Sequence, residues 1–379
     1  MSEWKKVKLG EICERVTSGG TPKANVSSYY NPPTIPWLKT KEVNYCRITE
    51  TENYISEEGL KNSSAKLISP NSVIIAMYGQ GDTAGRIAIN KIPLATNQAC
   101  CNLTIDKSKA DYEFIYYQLC TLYDKLVSLK AGAAQPNLNA RIIKNLEIIM
   151  PSLPIQHRIA SILSRYDSLI ENYQKQIKLL EEAAQLLYKE WFVDLRFPGY
   201  ENTNIIDGVP EGWEKKSITD VLEIKYGKDH KLLKEGTIPV YGTGGIMRYV
   251  EKSLFTGESV LIPRKGSLNN IMLVGGTFWT IDTMFYSIPK ENNVAKIVYF
   301  YLKGVDMYSF NIGAAVPSMT VNILSGMKLL VPNEDVKNKF ETIASKYFIR
   351  MHSLQSQLRL LTEARDRLLP KLMNGEITV

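Results

Sequence analysis

Histidine and cysteine are scarce in this chain, and their scarcity removes whole classes of chemistry. Its 379 residues hold three histidines, His157, His230 and His352, and five cysteines, Cys13, Cys46, Cys100, Cys101 and Cys120. No C-x-x-C pair occurs, and groups this scattered support neither a zinc site nor a histidine-based nucleophile triad. An odd number of unpatterned thiols predicts reduced cysteines in a cytoplasmic protein. Long apolar runs are missing as well. SVIIAMY falls far short of the roughly 20 residues that a bilayer span needs, so no membrane is expected as a partner. The opening MSEWKKVKLGEI has basic residues with no apolar stretch behind them, which predicts no signal peptide.

Nucleotide and cofactor signatures are also wanting. There is no G-x-x-x-x-G-K-[ST] phosphate loop. Gly79-Gln80-Gly81-Asp82-Thr83-Ala84 fits G-x-G-x-x-G/A, but the following GRIAINKIPL reads as a strand, and without a helix N-terminus nothing would hold a pyrophosphate. A hairpin loop exposing polar side chains is expected there. Asn31-Pro32-Pro33-Thr34 lies one residue from the NPPY or NPPF signature of amino-group DNA methyltransferases, whose fourth position stacks a ring on a flipped base. Thr34 cannot stack, and the glycine-rich turn that would cradle S-adenosylmethionine is missing. A proline-stiffened surface loop is the better reading. No catalytic residue, metal ligand or cofactor of its own is therefore expected of the chain.

What the chain does have is a repeat. Gly132-Ala133-Ala134-Gln135-Pro136, followed by RIIKNLEIIMP, returns about 181 residues later as Gly313-Ala314-Ala315-Val316-Pro317, followed by NILSGMKLLVP. Upstream, SEWKKVKLGEICERVTSGG returns loosely as EGWEKKSITDVLEIKYGKD, with Trp4 opposite Trp213. IPWLKT faces IPVYGT, and SVIIAMYGQG faces SVLIPRKGS. Between these shared strands the match breaks up, so the halves share a scaffold and differ in their loops.

Each half opens with short β-branched and aromatic runs punctuated by Gly, Pro and Asn, the pattern of a strand-rich α/β (α+β) domain, and closes on a helix. Ile155, Ile159, Ile162, Tyr166, Leu169, Tyr173, Ile177, Leu180, Ala184, Leu187 and Trp191 recur at threes and fours, as in a coiled-coil seam with one stutter. Val336, Phe340, Ile343, Tyr347, Leu354, Leu358, Leu361 and Leu368 continue the register in the second half, with Arg350 and Arg365 at seam positions. Pro370 should stop or kink that helix. A helix of roughly 35 residues rises ~50 Å. Two of them in one chain most simply pack antiparallel on each other, with internal pseudo-twofold symmetry; pairing with a second copy is the alternative. The expected division is 1–150 and 193–332 for the two domains, with 151–192 and 333–379 for the long helices.

A net charge of +7 over this length permits a polyanionic partner without demanding one. The divergent loops are more telling, because they hold the side chains that read base edges: Arg and Lys for guanine, Asn and Gln for adenine. In the first half the candidates are Lys23, Trp37, Lys39, Lys41, Tyr78, Gln80, Asp82, Arg86, Asn97 and Gln98. In the second they are Lys225, Lys228, His230, Lys231, Tyr241, Arg248, Arg264, Lys265, Ser267 and Asn269. Any one of them alone is more often a solvated surface group. Their clustering beside glycine-rich turns favours DNA.

PSLPIQHRIASILSRYDSLIENYQ, LYKEWFVDLRFPGYE, GVPEGWE and LTEARDRLLPKLMNGEI, together with SGGTP, IPWLKT, NQACC, IPVYGTGGI, IPRKGS and WTIDTMFY, resemble the specificity subunits of type I restriction-modification systems along essentially the whole chain. The resemblance implies two target recognition domains, each reading one half of a bipartite site in double-stranded DNA, with the paired helices fixing the gap. It implies two methyltransferase (modification) subunits as partners, which carry the adenine methylation chemistry and bind S-adenosylmethionine. Restriction and translocase subunits would add ATP- and Mg-dependent translocation and cleavage. A free-standing adenine-specific methyltransferase and a structural coiled-coil adaptor are the competing readings.

Overall fold

The computed structural model describes residues 4–130, 137–310 and 317–379. The sharpest part of the repeat, Gly132 to Pro136 and Gly313 to Val316, lies outside the described residues. Two compact units divide the chain: Met1–Asn172 with Gln357–Val379, and Tyr173–Ser356. The division runs through both long helices and not at their ends.

In the first unit, Val73–Ala76 is apolar and buried at every position, the pattern of a strand covered on both faces. It lies at the centre of a five-stranded sheet ordered Cys13–Ser18, Cys100–Ile105, Val73–Ala76, Ile87–Asn90 and Cys46–Ile48. A smaller sheet runs Tyr54–Ile55, Ile35–Leu38, Leu94–Thr96 and Leu67–Ile68; its middle pair is parallel, with Trp37 opposite Ala95. The second unit repeats this plan. Its larger sheet runs Leu222–Tyr226, Met284–Pro289, Ser259–Pro263 and Met272–Val274, and its smaller one Gly245–Val250, Glu235–Gly242, Thr277–Thr280 and Phe255–Thr256. The smaller sheet's middle pair is again parallel, with Val240 opposite Trp279. IPWLKT and IPVYGT, like SVIIAMY and SVLIPRK, therefore occupy matching strands. Cys46–Ile48 alone has no counterpart among the described strands of the second unit.

Gly79 to Ala84 joins two antiparallel strands, Val73–Ala76 and Ile87–Asn90, and does not open a helix. Asn31 to Thr34 is exposed along its whole length. Both stretches are loops.

The long helices are Leu153–Tyr188, which runs on into a π turn at Lys189–Val193, and Glu334–Met373. In the second unit the fully buried ring of Phe340 meets Tyr188, Trp191 and Phe192 at 6.4, 5.8 and 4.8 Å. Late residues of one helix thus face early residues of the other, and the pair is antiparallel within the chain. Two details differ from the seam expected. Leu169 is exposed, and the buried line passes through Leu163, Asp167 and Ile170, because the first helix packs on its domain as well as on its partner and so buries a broader face than a two-helix seam does. Pro370 does not stop the second helix. Leu372 and Met373 beyond it are buried in the core of the first unit, and ~1.5–3 kcal/mol per buried side chain offsets the ~3 kcal/mol cost of an interior proline.

The apparent defect at Arg365 has a partner. Asp167, on the first helix and 5% exposed, accepts from Arg365 and from Arg47 at 2.9 Å each, and from the Tyr117 hydroxyl at 2.5 Å. Arg47 also reaches Glu113, which Lys91 contacts at 3.1 Å. Strand Cys46–Ile48, helix Tyr112–Cys120 and both long helices are joined through this one cluster. Arg350 differs: it stays exposed, donating to Gln176, while its neighbour Met351 takes the buried position.

Burial works against the Glu113 carboxylate, but Arg47 and Lys91 outweigh it and the pKa falls below the ordinary 4.5. A lowered carboxylate pKa stabilises the fold above the unfolded value, and the benefit is lost as pH falls through the folded one. Glu113→Gln should therefore lower stability at neutral pH and flatten its loss below pH 4.5, read as hydrogen exchange of helix Tyr112–Cys120 across an acid series. An equally steep acid loss in the variant would remove Glu113 from this role.

Candidate nucleic-acid interface

In the first unit the candidate loops hang from a glycine pair. A side chain at Gly19 would collide with the carbonyls of Thr96 and Asn97, and one at Gly20 with Ser64 and Ala65, so only glycine lets strand Cys13–Ser18 turn here. The turn brings Lys23 to the same end of the sheet as Asn97 and Gln98, and the Gln98 side chain accepts from Thr21. Asn97 is half-buried and its side-chain carbonyl receives the Cys100 thiol. Lys39 donates to Asn53 at 2.9 Å and lies 5.1 Å from the Trp37 ring centre, while exposed Lys41 pairs with Glu52 at 3.5 Å. Trp37 itself departs from expectation. It is 5% exposed, packs edge-on to Tyr30, and gives its indole N–H to the Gly20 carbonyl at 3.1 Å, so its ring is part of the core and not of a reading surface.

The second cluster of the first unit is the loop after Val73–Ala76. Gln80 is exposed, Arg86 pairs with exposed Asp82, and the Tyr123 hydroxyl holds the Asp82 carbonyl at 2.9 Å. Half-buried Tyr78 precedes them, its phenol pKa raised by burial, so the hydroxyl stays a donor.

In the second unit a side chain at Gly227 would strike the Ile281 carbonyl, and Lys228 follows immediately. Lys228, Lys231, Lys265 and Ser267 are exposed; among the described residues the three lysines make no side-chain hydrogen bond or ion pair, and neither does Lys23 in the first unit. Asp229 between them is held anionic by the Lys231 backbone N–H, 3.0 Å away. His230 is half-buried, and its Nδ1 is enclosed with no hydrogen-bond partner among the described residues. Arg264 lies 5.2 Å from the Tyr226 ring centre and donates to the Asp282 carbonyl.

Other candidates in this unit are occupied. Lys225 is bound to Glu223, which raises its pKa. Arg248 donates to the Leu233 carbonyl at 2.8 Å. Asn269 spans Asp306 and the Met307 N–H, and Tyr241 is half-buried against Phe278 with its pKa raised by burial.

The sequence reading passed over two aromatic residues of this surface, Tyr226 beneath Arg264 and Trp279 beside Lys228. Both sit inside strands, where spacing alone does not separate a core ring from a loop support. Among the described residues no cluster of three or more His, Cys, Asp or Glu could hold a metal, and no helix is long and apolar enough to cross a membrane. Both units present hydrogen-bonding and cationic side chains on loops carried by rigid sheet ends, an arrangement suited to contacting phosphates and base edges.

Comparison with known proteins agrees with this geometry. The chain is 28% identical to the MjaIX type I restriction enzyme specificity subunit of Methanocaldococcus jannaschii, over 100% of this chain and 94% of that protein. It is 28% identical to the EcoR124I/EcoR124II specificity subunit of Escherichia coli over 52% of this chain and 48% of that one. The crystal structure of a type I restriction-modification S subunit from M. genitalium shares the fold, with a TM-score of 0.70 at 19% identity, covering 98% of this chain and 96% of that one. Residues 1–182 and 210–354 match the type I restriction modification DNA specificity domain. With a match in each half, the chain belongs to the family of type I restriction modification DNA specificity domains, as a specificity subunit.

Proposed function

We propose that the domain of each unit reads one half of a bipartite site in double-stranded DNA, and that the two long helices set the gap between the halves and dock two methyltransferase subunits. The observation that carries this reading is a single sheet plan used twice with different loop chemistry. Gln80, Asp82 and Arg86 stand on one copy where Lys265 and Ser267 stand on the other. S-adenosylmethionine belongs to the methyltransferase subunits, and ATP and Mg to restriction and translocase subunits; this chain supplies geometry to a cytoplasmic complex.

Docking has a surface to match. Leu179 and Leu360, which the repeat places at equivalent positions, are 52% and 56% exposed on helices otherwise rich in charge, and Leu186, one heptad beyond Leu179, is 65% exposed. Apolar rows of this kind suit partner helices. Replacing Leu179 and Leu186 with Glu should leave folding intact and remove one of two methyltransferase copies, counted by native mass spectrometry. Retention of both copies would rule that face out.

Affinity comes from Lys and Arg on phosphates, discrimination from base contacts worth ~1–3 kcal/mol each. Gln80→Ala should relax only the half-site read by the first unit and Lys265→Ala only the other, in competition binding by the assembled complex. A uniform loss across all sequences would reassign the residue to the phosphate backbone. Half-sites one helical turn apart lie ~34 Å centre to centre. Deleting four residues from one long helix removes ~6 Å of rise and should change the spacer while sparing both half-site sequences; methylome mapping that finds altered half-site bases would defeat the ruler.

A further inference from the structure

The two units pin the same point of their first loop with an indole, yet they take the indole from different strands. Gly19 donates to the Cys100 carbonyl and Gly227 to that of Met284; next, Gly20 donates to Thr96 and Lys228 to Thr280, at 2.9 Å each. Asn97 donates to Leu38 as Ile281 does to Tyr241. These bonds make Gly20 and Lys228 equivalent. The carbonyl of Gly20 accepts from Trp37 at 3.1 Å, and the carbonyl of Lys228 accepts from Trp279 at 2.9 Å. Trp37 stands opposite Ala95, whereas Trp279 occupies the Ala95 position and faces Val240. The ring has changed strands within one cross-strand pair, and its N–H still reaches the same carbonyl.

A buried indole N–H usually finds some acceptor, so one such bond would mean little. Two different routes to one carbonyl mean more. At Lys228 the backbone N–H is held by Thr280 and the carbonyl by Trp279, which fixes the direction in which its side chain leaves the loop. That side chain is exposed and makes no hydrogen bond or ion pair among the described residues. Lys225, three residues earlier, is already neutralised by Glu223 at 2.5 Å.

We propose that Trp279 is a positioning residue, and that its hydrogen bond to the Lys228 carbonyl, the counterpart of the one Trp37 makes to Gly20, sets this lysine on a DNA phosphate. The proposal rests on the DNA-reading function above. Phosphate contacts displace counterions, each contributing about 0.9 to the slope of log affinity against log salt. The test uses the chain in complex with its methyltransferase partners and a duplex carrying the target mapped from methylated host DNA. Lys228→Gln should reduce the slope by about 0.9. Trp279→Phe keeps a ring and loses the N–H; it should reduce the slope by a similar amount, and the double variant should fall no further.

A slope unchanged in Lys228→Gln or in Trp279→Phe overturns the proposal, as does a double variant that loses about twice as much. A merely structural tryptophan would lower the melting temperature and leave the slope in place. Should Trp279→Phe fail to fold, benzothienylalanine at position 279, the same shape with sulfur in place of N–H, takes its place with the same expected slope. If the unaltered complex does not distinguish the mapped duplex from a scrambled one, the DNA-reading function itself falls; if it does and the slopes stay put, only the positioning role falls.

Discussion

Asp167 is a carboxylate inside a protein, on a helix that has to pack against both a domain and another helix. Taking such a charge out of water costs several kcal/mol unless its lone pairs are met. Arg47 and Tyr117 meet one oxygen and Arg365 the other. The three donors come from a strand, a short helix and the far end of the chain, so the charge is compensated only when all of them are in register. Arg47 and Glu113 extend the same demand to the edge of the larger sheet, the sheet whose loops form part of the candidate reading surface.

The second unit meets the requirement with the signs exchanged. Lys296, on the helix Ala295–Lys303 that matches Tyr112–Cys120, is 4% exposed and lies 2.6 Å from both Glu258 and Glu341, the latter on the second long helix. Lys337 is held by Glu291 at 2.9 Å and by Glu334. Where the first unit uses Asp167, the repeat places Phe348, packed on Tyr299 and Phe300. One scaffold thus carries two docking codes, one built around a buried anion and the other around buried ammonium groups and rings.

Much of this was legible in the sequence, for reasons that differ element by element. The long helices showed because burying one face forces a period near 3.6, and the repeat showed because equivalent strands need equivalent apolar residues, as in SVIIAMY and SVLIPRK. Leu169 was misplaced, since periodicity reports that a helix has a buried face but not how many neighbours share it. Arg365 read as an interruption because a charge at a seam position is explained only by a counter-charge 198 residues away in the chain. Among the candidate residues, Lys228, Lys231 and Gln80 are exposed, whereas Trp37 is buried; an indole in a strand looks the same in one dimension whether it faces a ligand or the core.

The first unit is built from residues 1–172 and 357–379, with the second unit intervening as a single run from 173 to 356. Leu372 and Met373 are part of the core that Leu9, Ile75 and Phe114 begin. During translation the second unit has all its own residues in hand before the first does, although the first leads in the order of synthesis. Early residues must then wait, incompletely covered, for residues 357–379, and a stop codon ahead of those residues would harm the half of the protein made first.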